Sequence, residues 1–414
     1  MQWTPAGTTG TRTLDPSLLR TITSSLLLAT ALLVPTTRAQ ARQAPNYAGR
    51  PSTAPASLAA TDADAATPAD ADAPVGAEAP VATQPQRRPG PVRPPTSPLA
   101  RWLDIGGGTA QVRYRGVQTA ADRWSTSSMQ WTVAGNATVR LDREARYTVG
   151  LNMLAGASFN QSWNMAGPGI GDFKRDLPLR QLFVQAAPGG GVAMQVGGFA
   201  PIRGQNTEIT TLDNDGYLVG ERLTLKRRDL LFFDEVSVTN AYLGDLKTPS
   251  IFRRADRWND RNYRQVLLGR RLGSAVNVSG DYAFQAGTHV MRQGVSVKLP
   301  AGLGVDSVRV EQYERIEPEA AYGMAMSVEK ALSDGSKLGA GLASVDRAFG
   351  TLNGERYSVG NRVFFSGSHP LRGPLGLSWF YTYEIDAPAA STNVHRVDFH
   401  LAWNFASHLK ALTR

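Results

Sequence analysis

Basic residues at two-residue spacing are the first chemical signal in this chain. Arg222 and Lys226 flank Thr224, Arg292, Ser296 and Lys298 fall at even offsets, and so do Arg309, Glu311 and Tyr313. Side chains two apart on a β-strand point to the same side, so each set presents its charges on one face. Guanidinium and ammonium groups held facing water concentrate anions and repel cations, which is selection without covalent chemistry. A second, acidic group, Glu208, Asp213 and Asp215, lies in the polar stretch 200–217. The run Asp213-Asn214-Asp215-Gly216 has oxygen ligands at a spacing reminiscent of a calcium loop, but it lacks the other EF-hand positions and the closing glutamate. An ordinary turn accounts for it.

Enzymatic chemistry finds little support. The five histidines are His289, His369, His395, His400 and His408, and only His400 has a carboxylate, Asp398, two residues away on the same strand face. No Gly-x-Ser-x-Gly elbow accompanies them. A polar pair lining an interior is the expectation, with no catalytic site, cofactor or metal. With zero cysteines, thiolate chemistry and disulfides are excluded.

The elements that must carry these residues are long two-faced strands. From Met129 to Leu141 the odd positions run Met, Trp, Val, Gly, Ala, Val, Leu, and the even ones between them Gln, Thr, Ala, Asn, Thr, Arg. After a turn near Arg143 to Arg146 the alternation resumes with Tyr147, Val149, Leu151, Met153, Ala155, Ala157 and Phe159. The final segment sets Val397, Phe399, Leu401, Trp403 and Phe405 against Arg396, Asp398, His400, Ala402 and Asn404. Such strands suit a sheet whose apolar face meets lipid and whose polar face lines a lumen. With 42% hydrophobic residues and no long uninterrupted apolar stretch beyond the N-terminal region, spanning helices are excluded.

Segments fall near 102–115, 129–142, 147–161, 179–187, 191–199, 218–227, 232–243, 262–272, 275–285, 289–299, 304–315, 321–332, 336–346, 355–366, 375–385 and 394–405. The expectation is therefore an all-β transmembrane antiparallel barrel of about sixteen strands over 101–414, with fourteen or eighteen as the alternatives. Long connections at 162–178, 200–217 and 244–261 would share one side. Upstream, Arg12 and Arg20 precede the apolar run Ile22 to Pro35 and the small residues of Ala39-Gln40-Ala41, so 1–41 is expected to be a signal peptide cleaved after Ala41. The Ala/Pro/Asp-rich 42–100 is expected to be a disordered tail, acting as a tether or touching peptidoglycan or a periplasmic partner.

Leu179 to Phe199 with its glycine-rich turn, the strand Gly220-Glu221-Arg222-Leu223-Thr224-Leu225-Lys226, and the last strand ending on the aromatic Phe405 resemble bacterial outer-membrane β-barrels of the porin and alginate-export kind. Residues 406–414 extend beyond the terminal aromatic residue that the barrel-insertion machinery reads in such proteins. The resemblance implies a channel in the outer membrane, among lipid and lipopolysaccharide, and leaves a homo-oligomer open. It also implies that 200–217 folds into the bore, setting Glu208, Asp213 and Asp215 against wall arginines. Lys plus Arg number 44 against 35 Asp plus Glu, and strand charges must avoid lipid, so Arg222, Lys226, Arg292, Lys298, Arg309 and Glu311 are expected in the lumen and small anions are the expected solutes. An export pore for an anionic exopolysaccharide, and a non-conducting anchor or receptor barrel, are the alternatives. Arg253, Arg254, Arg257 and Arg261 would suit lipopolysaccharide. Nucleic-acid binding is not expected, because the basic residues are spread along strands without a recognition module.

Overall fold

The computed structural model describes residues 101–119, 124–157, 179–206, 218–230, 232–243, 251–285, 287–317, 320–346, 360–386 and 393–406. The expected signal peptide and tail, Phe159, His408, the acids Glu208, Asp213 and Asp215, and the side chain of Arg253 lie outside them. Sixteen strands follow in order: β1 (Leu103–Thr119), β2 (Trp124–Arg140), β3 (Tyr147–Ala157), β4 (Leu179–Gly189), β5 (Val192–Phe199), β6 (Leu218–Leu230), β7 (Phe233–Leu243), β8 (Tyr263–Leu272), β9 (Val276–Gln285), β10 (Thr288–Lys298), β11 (Ser307–Glu317), β12 (Ala321–Ala331), β13 (Lys337–Val345), β14 (Gly360–Pro370), β15 (Leu375–Glu384) and β16 (Asn393–Asn404). Each pairs antiparallel with its sequence neighbours, and β1 pairs with β16, so the sheet closes into a barrel. Closure removes both sheet edges and satisfies the strand hydrogen bonds internally.

The two faces are distributed in reverse of a water-soluble protein. Trp131, Leu401 and Trp403 are 44%, 47% and 45% exposed, whereas Arg292 and Asp398 are 0% exposed. Residues on the Trp131 side point outward and those on the Arg292 side point in, as expected where lipid is the outer solvent. Rings gather at both margins of the outer face. Tyr282 and Phe284 with His289, and Tyr381 and Tyr383 with His395, lie toward one end. Trp403 and Phe405 stack 5.5 Å apart toward the other. A ten-residue strand such as β15, at about 3.3 Å per residue and tilted by about 40°, rises about 25 Å, the height of an outer-membrane apolar band.

The end where β1 begins and β16 finishes is here called proximal, and the opposite end distal. Proximal connections are short, as at 190–191, 231–232 and 273–275, and the distal ones include 158–178, 200–217, 244–262 and 346–359. Distal connections 286–287 and 318–320 are also short, so loop length divides the two ends only in part.

Strand boundaries differ from expectation chiefly at β14, placed at 355–366 from sequence and found at Gly360–Pro370. Its later half, Ser366-Gly367-Ser368-His369, carries no apolar alternation, because the outward position Gly367 is covered by the Trp379 indole from the next strand. The first hairpin likewise runs past the expected ends, to Thr119 and back from Trp124.

The described part of one distal connection, 251–262, lies on the outside. Its short helix α1 (Ile251–Ala255) packs on β4 to β6, with Ile251 seated at Gly198 among Leu179 and Val219. Arg261 binds Glu221 at 2.8 Å and stacks 4.5 Å from the Trp258 ring centroid. The expectation that Arg254 faces lipid headgroups is corrected: Arg254 is buried in this fold-back, whereas Arg257, ion-paired to Asp260, is exposed.

Candidate functional site

The inner wall is built by register, since directly opposed residues on neighbouring strands share a face. Arg115 faces Asp398, Arg113 faces His400, Arg362 faces Glu384 and Arg292 faces Asp281. These facing pairs become ion pairs where geometry allows. Arg115 Nε and Nη2 donate to the two Asp398 oxygens at 2.7 and 3.1 Å, and Arg396 Nε donates to Asp398 Oδ2 at 3.1 Å. Arg362 Nη2 donates to Glu384 Oε2 at 3.1 Å, and Arg292 Nε to Asp281 Oδ1 at 2.8 Å. All these groups are buried. Charges removed from water require such pairing, because an uncompensated one would cost several kcal/mol.

The start of the fifth connection, 200–206, lies against this wall. Arg222 Nη2 donates to Ala200 O at 2.6 Å, Gln265 Nε2 donates to Ile202 O at 2.8 Å, and the Gln205 N–H donates to Ser279 Oγ at 2.6 Å. Opposite Ser279, Gly294 leaves room for the approach: a Cβ there would sit 2.9 Å from the Gln205 carbonyl carbon. Arg222, Gln265, Ser279 and Gly294 all face inward, so this segment enters the barrel. Inward apolar residues add Phe199, Leu218, Ala241 and Tyr263 beneath it, and Val290, Tyr313, Ala325, Val345, Phe364 and Phe380 farther round.

Along each of these strands the inner face changes character from end to end. On β6, Leu218 and Arg222 are buried and Lys226 is exposed; on β10, Arg292 is buried and Lys298 exposed; on β12, Ala321 and Ala325 are buried and Glu329 exposed; on β16, Asp398 and His400 are buried and Asn404 exposed. The exposed members are all proximal. The interior is thus occluded toward the distal end and open toward the proximal end.

All six lumen residues named from sequence point inward, in distinct settings. Arg222 and Arg292 are buried anchors, and Glu311 is buried beside Arg309, at 4.0 Å. Lys226 reaches Glu235 at 3.2 Å, and Lys298 and Lys226 stand in the proximal opening. The sequence reading missed Arg113, Arg115, Arg362, Glu384 and the part played by Arg396. Their signal was present as Arg113-x-Arg115 and Arg396-x-Asp398-x-His400. What was lacking was the closure that sets the first strand beside the last. His400, paired in the sequence reading with Asp398, faces Arg113, while Asp398 is held by two arginines.

No family model matches the chain, and no curated protein matches it. Among solved structures it is similar to a mutant of the Rhodopseudomonas blastica porin at 9% identity, covering 73% of this chain and 100% of that one with a TM-score of 0.49. A triple mutant of the same porin is similar at 8% identity, with the same coverages and a TM-score of 0.47. The architecture described above, a closed antiparallel barrel of sixteen strands with an apolar outer belt, is porin-like on its own geometry.

Proposed function

We propose that the protein is an outer-membrane channel for small solutes with a preference for anions, inserted with its proximal turns toward the periplasm. The observation that carries this reading is the two-faced wall, apolar and exposed outside, with guanidinium and ammonium groups facing in. Fixed cationic groups in a low-dielectric tube raise anion concentration through their potential. In this reading the carboxylates of Glu208, Asp213 and Asp215 face wall arginines across the bore, and the fold-back at Trp258 and Arg257 meets lipopolysaccharide. The signal peptide, the tethering tail and a homo-oligomeric state belong to the same proposal. Reversal potentials of the refolded barrel in a planar bilayer under a KCl gradient test it. A chloride-selective potential is expected, and a cation-selective one overturns it.

The burial of the distal inner face favours a second reading, a barrel plugged by its own residues that serves as an anchor or receptor. A complete absence of single-channel steps from correctly folded protein selects that reading.

A further inference from the structure

The proximal opening contains a block of four residues on two paired strands. Ser296 and Lys298 on β10 stand directly opposite Arg309 and Ser307 on β11, so cation and hydroxyl alternate in a two-by-two square on the inner wall. Opposed Cβ atoms lie about 4.5–5.5 Å apart and diagonal neighbours about 7–8 Å apart, close enough for the long Lys298 and Arg309 side chains to converge on one group between the serines. Around the square, Arg271 Nε donates to Asn277 Oδ1 at 3.3 Å, and Asn277 faces Ser296 in the same row. Of the nearby acids, Glu329, opposite Ser307, reaches Lys337 at 3.7 Å, and the buried Glu311 pairs with Arg309 Nε at 4.0 Å, which leaves the other guanidinium N–H groups of Arg309 as donors beside Lys298. Lys298 is exposed and makes no ion pair among the described residues.

We propose that this square is a binding site for a small oxyanion of the phosphate or carboxylate kind, reached most directly from the proximal side. The proposal rests on the channel reading for its biological role, but its chemistry stands on the four residues. Ammonium, guanidinium and two hydroxyls supply converging donors, and charge-assisted hydrogen bonds to an anion are the strong kind. Access is more direct from the proximal opening because the inward residues on the distal side of the square, Arg292, Glu311 and Tyr313, are buried.

The test uses the full refolded barrel in a planar bilayer, with its orientation read from one-sided labelling of Ser333→Cys in a proximal turn of a chain that has no native cysteine. Inorganic phosphate is added to one side at a time, with acetate in parallel to separate phosphate from carboxylate recognition. Proximal addition is expected to reduce the KCl current at a lower concentration than distal addition. The Lys298→Gln/Arg309→Gln variant should raise the half-blocking concentration by about a hundredfold, the loss expected when two charge-assisted bonds are removed. Lys330→Gln, which changes an outward charge at the same end, should not. Block that is equal from both sides, or unchanged in the double variant, overturns the site while leaving anion selectivity standing. Titration calorimetry with phosphate in detergent needs no conduction. Binding by a barrel that passes no current would keep the site and reject the channel, and a parent that binds no phosphate rejects the site in either case.

Discussion

Asp398 and Glu329 are both carboxylates on the inner wall, and their surroundings differ in kind. Asp398, in the distal half, is fully buried and held by two arginines, Arg115 of the adjacent strand β1 and Arg396 two residues away on β16 itself. Glu329, at the proximal opening, is about half exposed and reaches one lysine at 3.7 Å. The strand alternation that points both inward is the same, but the medium is not. In the occluded half a charge must be compensated to exist at all, so its arginines are structural. In the open half water screens the pairs, and the charges remain available to solutes.

The largest effects are expected in the buried half. Asp398→Ala strands Arg115 and Arg396 without their counter-charge and should cost about 3–5 kcal/mol, whereas Glu329→Ala should cost less than about 1 kcal/mol. Urea unfolding of the detergent-refolded barrel measures both, and equal losses would remove the distinction between the halves.

Next in size is the contrast between faces. Leu401→Arg places a charge toward lipid at a cost of about 2–4 kcal/mol if near the midplane, while inward Ala402→Arg should be tolerated. Insertion into vesicles followed by a shift in gel mobility on heating reads the difference.

Arg222→Ala sharpens the account of occlusion. It removes the guanidinium that holds Ala200 and Thr239, bonds to a charged group worth about 1.5–3 kcal/mol, and should loosen the 200–206 segment from the wall. Faster hydrogen exchange at Gln205, whose N–H is bonded to Ser279, is expected. Unchanged exchange would show that other contacts hold the segment.

The smallest effect lies in the proximal turns. Asp306 is held below the ordinary carboxylate range first by the Ala331 N–H and then by Lys330. A depressed folded value means that its contribution is present at neutral pH and disappears as pH falls below about 4. The protection of the Ala331 N–H, its exchange relative to the intrinsic rate at each pH, should fall on acidification in the parent, and Asp306→Asn should remove that pH dependence.

The barrel class was legible in the sequence, because a two-residue period in the clearest segments, 129–141, 147–159 and 394–405 among them, leaves one apolar and one polar face. Leu179 to Ala187 and Arg264 to Leu272 alternate poorly and were placed from context, so the count stayed at about sixteen. The sequence placed Arg222, Lys226, Arg292, Lys298, Arg309 and Glu311 on the inner face for the same local reason. Alternation says which way a side chain points, but not what stands opposite it. That Arg115 meets Asp398 across 283 residues, that Arg292 is cancelled by Asp281 while Lys298 stands exposed in the opening, and that 200–206 lies on the wall were decided only by the closed register and its axial burial. These depend on how distant strands align, and pairing between distant strands leaves no periodic trace in a single chain.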